Sequence, residues 1–207
     1  MSQPAFLDEP ETTAAVQAMF DEDITDMGYV MNASRLWAYQ PTTCDRLFDL
    51  MSEAFKASGL SFRHRGLLVT ATASTLGDSY CSLAWGYKLA VADSGDAAAA
   101  VLRGDDTVLT PEEQKMVTWA RKVVRDPNST TADDVQSLRE AGLSDSQIFA
   151  ITTFIALRLA FSTINDALGA RPDPELLTLA PIDVVNAVTY GRGTTDRIDG
   201  DDNVIAG

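Results

Sequence analysis

The segment from residue 145 to residue 168 constrains the fold more than any other part of this chain. Ser144 before it is a helix-capping residue type, and Gly169 after it is a typical helix stop. Apolar side chains cover almost the whole circumference of the segment: Ile148, Phe149, Ile151, Phe154, Ile155, Leu157, Leu159 and Phe161. A helix that is apolar all round is buried on all sides. We therefore predict a core helix, buried in part against another subunit of a homo-oligomer.

Apolar residues recur at helical spacing through most of the chain, and strand-like alternation is hard to find. Thr110, Pro111 and Glu113 form the strongest helix start, because they combine a capping hydroxyl, a first-turn proline and a reciprocal glutamate. We expect an acidic connection over residues 21–32. The sequence predicts an all-α protein, a multi-helix bundle of about eight helices. Eight helices are predicted at 11–20, 42–58, 62–75, 79–92, 96–103, 111–125, 131–141 and 145–168, and a further short one follows residue 181.

Composition and charge restrict the compartment and the partners. The chain has 207 residues, 45% of them apolar, which suits one domain with a full core. A formal net charge of −14 disfavours nucleic acid and anionic lipid surfaces as partners. Two cysteines are too few for a disulfide-stabilised secreted scaffold, and we find neither a signal-peptide pattern nor an uninterrupted apolar run long enough to span a membrane. We expect a soluble cytoplasmic protein.

The most specific segment runs from Thr75 to Trp85 and reads TLGDSYCSLAW. Later segments that belong with it are LTPEEQKMVTWARKVVRDP, LREAGLSDSQIFAI, NDALGA and AVTYGR. Together they resemble the AhpD-like alkylhydroperoxidase and carboxymuconolactone decarboxylase superfamily. The resemblance implies an AhpD-like helical domain at 28–192, after an N-terminal extension with a short helix at 1–27 and before an acidic tail at 193–207. It also implies an oligomer that is dimeric or built from trimers.

The resemblance implies a catalytic set that this chain keeps only in part. In the family, a Glu, a Cys-x-x-Cys pair and a following His perform thiol peroxidase chemistry. Their positions fall on Gly66, Asp78, Cys81 and Trp85, so Cys81 is the single family residue present and no Cys-x-x-Cys disulfide can form. The implied function is a thiol-dependent, peroxidase-type oxidoreductase with a degenerate active site. The sister activity, lactone decarboxylation, needs an acid–base pair and lacks the same Glu and His.

Helix geometry allows predictions for the residues around Cys81 that do not depend on the family resemblance. Asp78 stands where the N-cap of a helix is expected, so its carboxylate accepts a backbone N–H near Cys81. The helix dipole lowers a thiol pKa there and the Asp78 charge opposes it, so we predict a largely buried Cys81 without a low pKa. Trp85 lies one turn later on the same face, where it packs against the sulfur or stacks on a substrate. With Tyr80, Thr70 and Ser74 it completes the candidate pocket.

Several points stay open at this level. The Thr70 and Ser74 hydroxyls either line a pocket or bond back to helix carbonyls. His64 is the only histidine, which excludes a metal site built on imidazoles, and we predict neither a metal nor a cofactor. The approach of Cys44 to Cys81 is open. Two functions remain: a peroxidase-type oxidoreductase resolved by Cys44 or an external thiol, and a non-redox helical oligomer that binds a small ligand or a protein partner.

Overall fold

The structure, a computed structural model, describes residues 4–93 and 95–194, and within them it contains eleven α-helices, one 3-10 turn at Pro127–Ser129 and no strand. Eight of the helices have nine residues or more, which confirms the predicted all-α fold. The helices are α1 (Ala14–Met27), α2 (Asn32–Trp37), α3 (Pro41–Ser58), α4 (Phe62–Leu76), α5 (Ser79–Ala92), α6 (Gly95–Arg103), α7 (Pro111–Arg125), α8 (Ala132–Glu140), α9 (Asp145–Ala167), α10 (Leu176–Leu179) and α11 (Ile182–Ala187).

The N-terminal region differs from the prediction. The acidic connection predicted for residues 21–32 is wrong for most of its length, because α1 continues to Met27 and ends at Gly28, which adopts a φ of 83°. Acidic residues are compatible with an exposed helix face, so their clustering did not mark a loop. One of them, Asp23, is buried and accepts the backbone N–H of Met31 at 2.9 Å. This bond holds the end of α1 against the start of α2.

The longest helix, α9, packs along α3 and contacts α4 and α7. Ile151, Phe154 and Ile155 are fully buried, and burial of each such side chain contributes about 1.5–3 kcal/mol. By length and by a mean hydropathy of 1.6 over an 18-residue window, α9 could cross a membrane, and 44% of that window is buried inside the structure. Within the described residues its outer face is uncovered, since Phe149 is 76% exposed and Ala156 and Ala160 are exposed.

The hairpin of α4 and α5 positions the candidate site. Gly77 ends α4 with a φ of 84°, a left-handed conformation that favours glycine, and Asp78 then caps α5. The two helices run antiparallel and close together at their far end. A Cβ atom at Gly66 would lie 3.0 Å from Leu89 Cδ1. This approach places Arg65 of α4 in the same neighbourhood as Lys88 of α5.

The predicted acidic tail at 193–207 lies almost wholly outside the described residues. The N-terminal extension can be followed from residue 4, and it packs on the far end of α9. The backbone N–H of Phe6 donates to Leu168 O at 2.9 Å, and that of Arg171 donates to Pro4 O at 3.0 Å. The extension therefore covers part of the surface of the bundle at the C-terminal end of α9.

Candidate functional site

Cys81 lies in the first turn of α5 and is 2% exposed, which confirms the predicted burial. Its backbone N–H donates to Asp78 Oδ1 at 2.8 Å, so Asp78 is the N-cap that the sequence predicts. From α9, Arg158 Nη2 donates to the Cys81 sulfur at 3.2 Å, and Ser162 Oγ lies 3.6 Å from the same atom. The thiol is thus enclosed between a carboxylate of its own helix and a guanidinium of the central helix.

These surroundings act on the thiol in opposite directions. Burial raises the pKa of the Cys81 thiol, the Asp78 charge raises it further, and the Arg158 guanidinium lowers it. The resulting pKa of the Cys81 thiol lies well above that of an ordinary thiol, because the loss of hydration outweighs the effect of the single cation. The site therefore favours a protonated thiol at neutral pH. Its reactivity stays a prediction.

Arg158 is one of the residues of this site that the sequence analysis did not single out. Its side chain is 3% exposed, and its guanidinium carbon lies 5.7 Å from the ring centre of Trp85 and 5.1 Å from that of Phe161. Among the described residues it makes no ion pair with a carboxylate, and its buried Nε has no hydrogen-bond partner. The available signal was a lone arginine in the middle of an apolar helix, because a charge in a core requires a partner.

Two further cations face the same indole ring. The guanidinium carbon of Arg65 lies 5.2 Å from the ring centre of Trp85, and Nζ of Lys88 lies 5.3 Å from it. We call Arg65, Lys88 and Arg158 the cation cluster. Loss of hydration lowers the pKa of both Arg65 and Lys88, although part of the Lys88 side chain is exposed at the surface, and the nearby charge of Arg158 lowers each pKa further. In the described part of the chain, no member of the cluster forms an ion pair with a carboxylate.

The positions that correspond to the family Glu and His carry no titratable group. At Gly66, the space beside the backbone is filled by Leu89. Trp85 is 8% exposed and stacks on Phe62, with ring centres 6.0 Å apart. The site therefore lacks the proton relay that the family resemblance would place there.

The remaining candidate pocket residues have separate partners. Tyr80 is 4% exposed, and its hydroxyl donates to Asp173 Oδ2 at 2.5 Å, so it ties α5 to the segment after α9. Ser74 bonds back to the carbonyl of Ala71 at 3.3 Å. Thr70 does not, because its fully buried hydroxyl has no partner within the described structure. Of these three residues, Thr70 alone offers an unused polar atom.

The second cysteine and the single histidine have different surroundings. Cys44 is buried in one apolar group with Cys81, Trp37 and Phe161, and both cysteines are free thiols. Burial, then the nearby charge of Asp45, raises the pKa of Cys44 to about 12. His64 is half-buried in the first turn of α4, and its Nδ1 accepts the backbone N–H of Ser61 at 3.3 Å.

Three surface clefts of the described chain are lined by neither Cys81 nor Trp85. The largest, about 640 Å³, lies between the start of α5 and the C-terminal segment, with Ser79 and Tyr190 among its lining residues. Over the described residues, no group of three His, Cys, Asp or Glu side chains is arranged to hold a metal ion. The chemistry of the site rests on the thiol, the cation cluster and the indole ring.

Among the comparisons with known proteins, the one with solved structures finds similar folds. No protein-family model matches the sequence, and no curated protein matches it. The structure is similar to the alkylhydroperoxidase AhpD core of an uncharacterized peroxidase-related protein from Ralstonia eutropha, with a TM-score of 0.75 and 22% identity over 84% of this chain and 94% of that one. It is also similar to an uncharacterized peroxidase-related protein from Silicibacter sp., with a TM-score of 0.76 and 19% identity over the same shares. The predicted AhpD-like fold is confirmed.

Proposed function

We propose that this AhpD-fold protein binds a small ligand at the site around Arg158 and does not turn over hydroperoxides through Cys81. The observation that carries the proposal is the state of Arg158, which is 3% exposed and has no carboxylate partner in the described chain. An uncompensated buried charge is destabilising by several kcal/mol. A ligand that supplies the missing partner accounts for an arginine at this place in the core.

The surroundings of the thiol argue against peroxidase chemistry. A peroxidatic thiol must be ionised near neutral pH and reachable by its substrate. Cys81 is 2% exposed, and burial and Asp78 raise its pKa. Gly66 and Trp85 stand where the family resemblance places the Glu and the His. Lactone decarboxylation lacks its acid–base pair for the same reason.

One contact supports thiol redox chemistry as the second candidate. A guanidinium 3.2 Å from a sulfur atom stabilises the thiolate once it has formed, and Arg158 occupies that position. Cys44 belongs to the same buried group and would act as the resolving thiol, unless an external thiol does so. This function requires α5 and α9 to separate enough to admit a hydroperoxide.

Hydroperoxide consumption and thiol alkylation separate the two candidates. We expect the wild-type chain and Cys81→Ser to consume hydrogen peroxide and an organic hydroperoxide at the same background rate in excess dithiol. In a Cys44→Ser chain, we expect alkylation of Cys81 only above about pH 9, because an ordinary thiol already has a pKa near 8.5. A rate that depends on Cys81, or an alkylation midpoint below about pH 7, would establish the redox function instead.

We also propose that the protein is a homo-oligomer, dimeric or trimer-based, and that it works in the cytoplasm. Exposed apolar side chains support the first point, since Phe149 on α9 is 76% exposed and Ile182 on α11 is 67% exposed. Two free cysteines are typical of a reducing compartment. The net charge of −14 makes a small molecule a more suitable ligand than nucleic acid.

A further inference from the structure

The cation cluster brings together three positive charges from three helices that are distant in sequence. Arg65 comes from α4, Lys88 from α5 and Arg158 from α9. Among the described carboxylates, Asp78 accepts the backbone N–H of Cys81, whose sulfur accepts from Arg158, and Asp26 acts on Lys88 without forming an ion pair. The cluster therefore keeps an excess of positive charge beside the face of Trp85.

Two other arginines of the described chain are wholly or partly buried, and each is paired with a carboxylate. Arg121 is 8% exposed, and it donates to the carboxylate of Asp106 and to Val101 O. Arg63 donates to the carboxylate of Glu113 at 2.6 Å. By contrast, Arg158 and Arg65 each keep a buried Nε without a partner. Unused N–H groups on buried guanidiniums are donors that a bound molecule can satisfy.

The guanidiniums of Arg65 and Arg158 pack against aromatic rings and keep unused N–H donors. Arg65 and Arg158 lie against aromatic rings, with Arg65 also 5.8 Å from the ring centre of Phe55. The N–H groups lie on the edge of a guanidinium, and this edge binds a carboxylate or phosphate through two parallel hydrogen bonds. Lys88 is exposed and Arg65 is half-buried, so an anion would enter past Lys88 toward Arg158.

We infer that the cation cluster is a binding site for a compact oxyanion, a carboxylate or a phosphate group, held by Arg65 and Arg158 and met at the entrance by Lys88. The inference rests on the proposed ligand-binding function and adds the chemical class of the ligand. The oxyanion replaces the missing counter-charge of the cluster and satisfies the unused N–H groups. The Trp85 ring forms the apolar wall of the site.

Calorimetric titration of the full chain tests the site with inorganic phosphate, acetate and benzoate, each at constant ionic strength with chloride as the reference. We expect saturable binding of one anion per chain, either for phosphate or for the carboxylates acetate and benzoate. The anion that binds shows whether the site takes a phosphate group or a carboxylate. Arg65→Met and Lys88→Met should each weaken binding about tenfold or more, the usual effect of losing a charge-assisted hydrogen bond. The exposed Arg46→Met and Lys115→Met are matched controls and should bind as the wild type does.

Two results would overturn the inference. One is the absence of saturable binding for phosphate and for both carboxylates. The other is an equal loss of affinity in Arg65→Met and Arg46→Met, which would indicate a non-specific effect of the protein's net charge. The experiments distinguish failure of this inference from failure of the proposed function. Hydroperoxide turnover through Cys81 together with intact anion binding would refute the proposed function, but it would still support an anion-binding site at the cation cluster. Circular dichroism of each variant checks that its helices are retained.

Discussion

Replacement of Arg158 by methionine tests the physical basis of the site. Methionine keeps most of the side-chain volume and removes the charge. If Arg158 is an uncompensated charge in the ligand-free protein, its removal should lower the free energy of unfolding by no more than about 2 kcal/mol and can increase it. The matched control is Arg121→Met, because Arg121 is also buried but has Asp106 as its partner.

The expected magnitude follows from the contacts of Arg158. Replacing a buried ion pair or triad by apolar residues is often stabilising by about 1–4 kcal/mol, and we take the same range for removing an unpaired buried charge. Arg158→Met also loses one hydrogen bond to Cys81, worth about 1 kcal/mol, and the contacts with the Trp85 and Phe161 rings, worth about 0.5–1 kcal/mol each. The net change in the free energy of unfolding for Arg158→Met is then between a loss of about 2 kcal/mol and a gain of about 2 kcal/mol. Arg121→Met leaves Asp106 unpaired and should lose about 3 kcal/mol or more.

Urea unfolding followed by circular dichroism, in a buffer free of phosphate and carboxylates, measures both variants. Adding phosphate or acetate, whichever binds, should then stabilise the wild type and not Arg158→Met, because ligand binding to the folded state raises its stability. A loss of more than about 2 kcal/mol in Arg158→Met would refute the reasoning, since it would mean that Arg158 is already compensated within the chain.

Three further predictions concern the surface, the buried acids and the thiol. Phe149→Glu should shift the protein toward monomer in sedimentation, whereas Ser146→Glu, on the same helix, should not; an unchanged oligomer would exclude the outer face of α9 as the interface. Burial raises the pKa of Asp173 to about 6, so ionising it opposes folding increasingly from about pH 4 to pH 6. Urea unfolding should therefore show Asp173→Asn gaining stability relative to the wild type over that window, and a constant difference would contradict this. Asp78→Asn keeps a capping oxygen but removes the charge that raises the pKa of Cys81, so alkylation of Cys81 at pH 8 should become faster with the other cysteine replaced by serine.

The sequence by itself determined the helices, because their signals are local. The reciprocal bonds between Thr110 and Glu113 form as predicted, with the Glu113 N–H 3.3 Å from Thr110 Oγ1. The N-cap at Asp78 is another such case, since the cap and its N–H donor are three residues apart. Signals of this kind depend on neighbours within one helical turn. The acidic stretch of α1 was missed because charge alone does not distinguish an exposed helix from a loop.

Only the tertiary structure decided the composition of the site. Arg65, Lys88 and Arg158 meet because α4, α5 and α9 pack with particular rotations about their axes, and spacing along the chain does not specify those rotations. The sequence identified Cys81 and its capping carboxylate, but the guanidinium on its sulfur comes from a residue 77 positions later. Among the described residues, the same packing left Arg158 without a carboxylate partner, and it filled the space beside Gly66 with Leu89. Whether a buried charge finds a partner depends on which helices face each other, and helical periodicity does not contain that information.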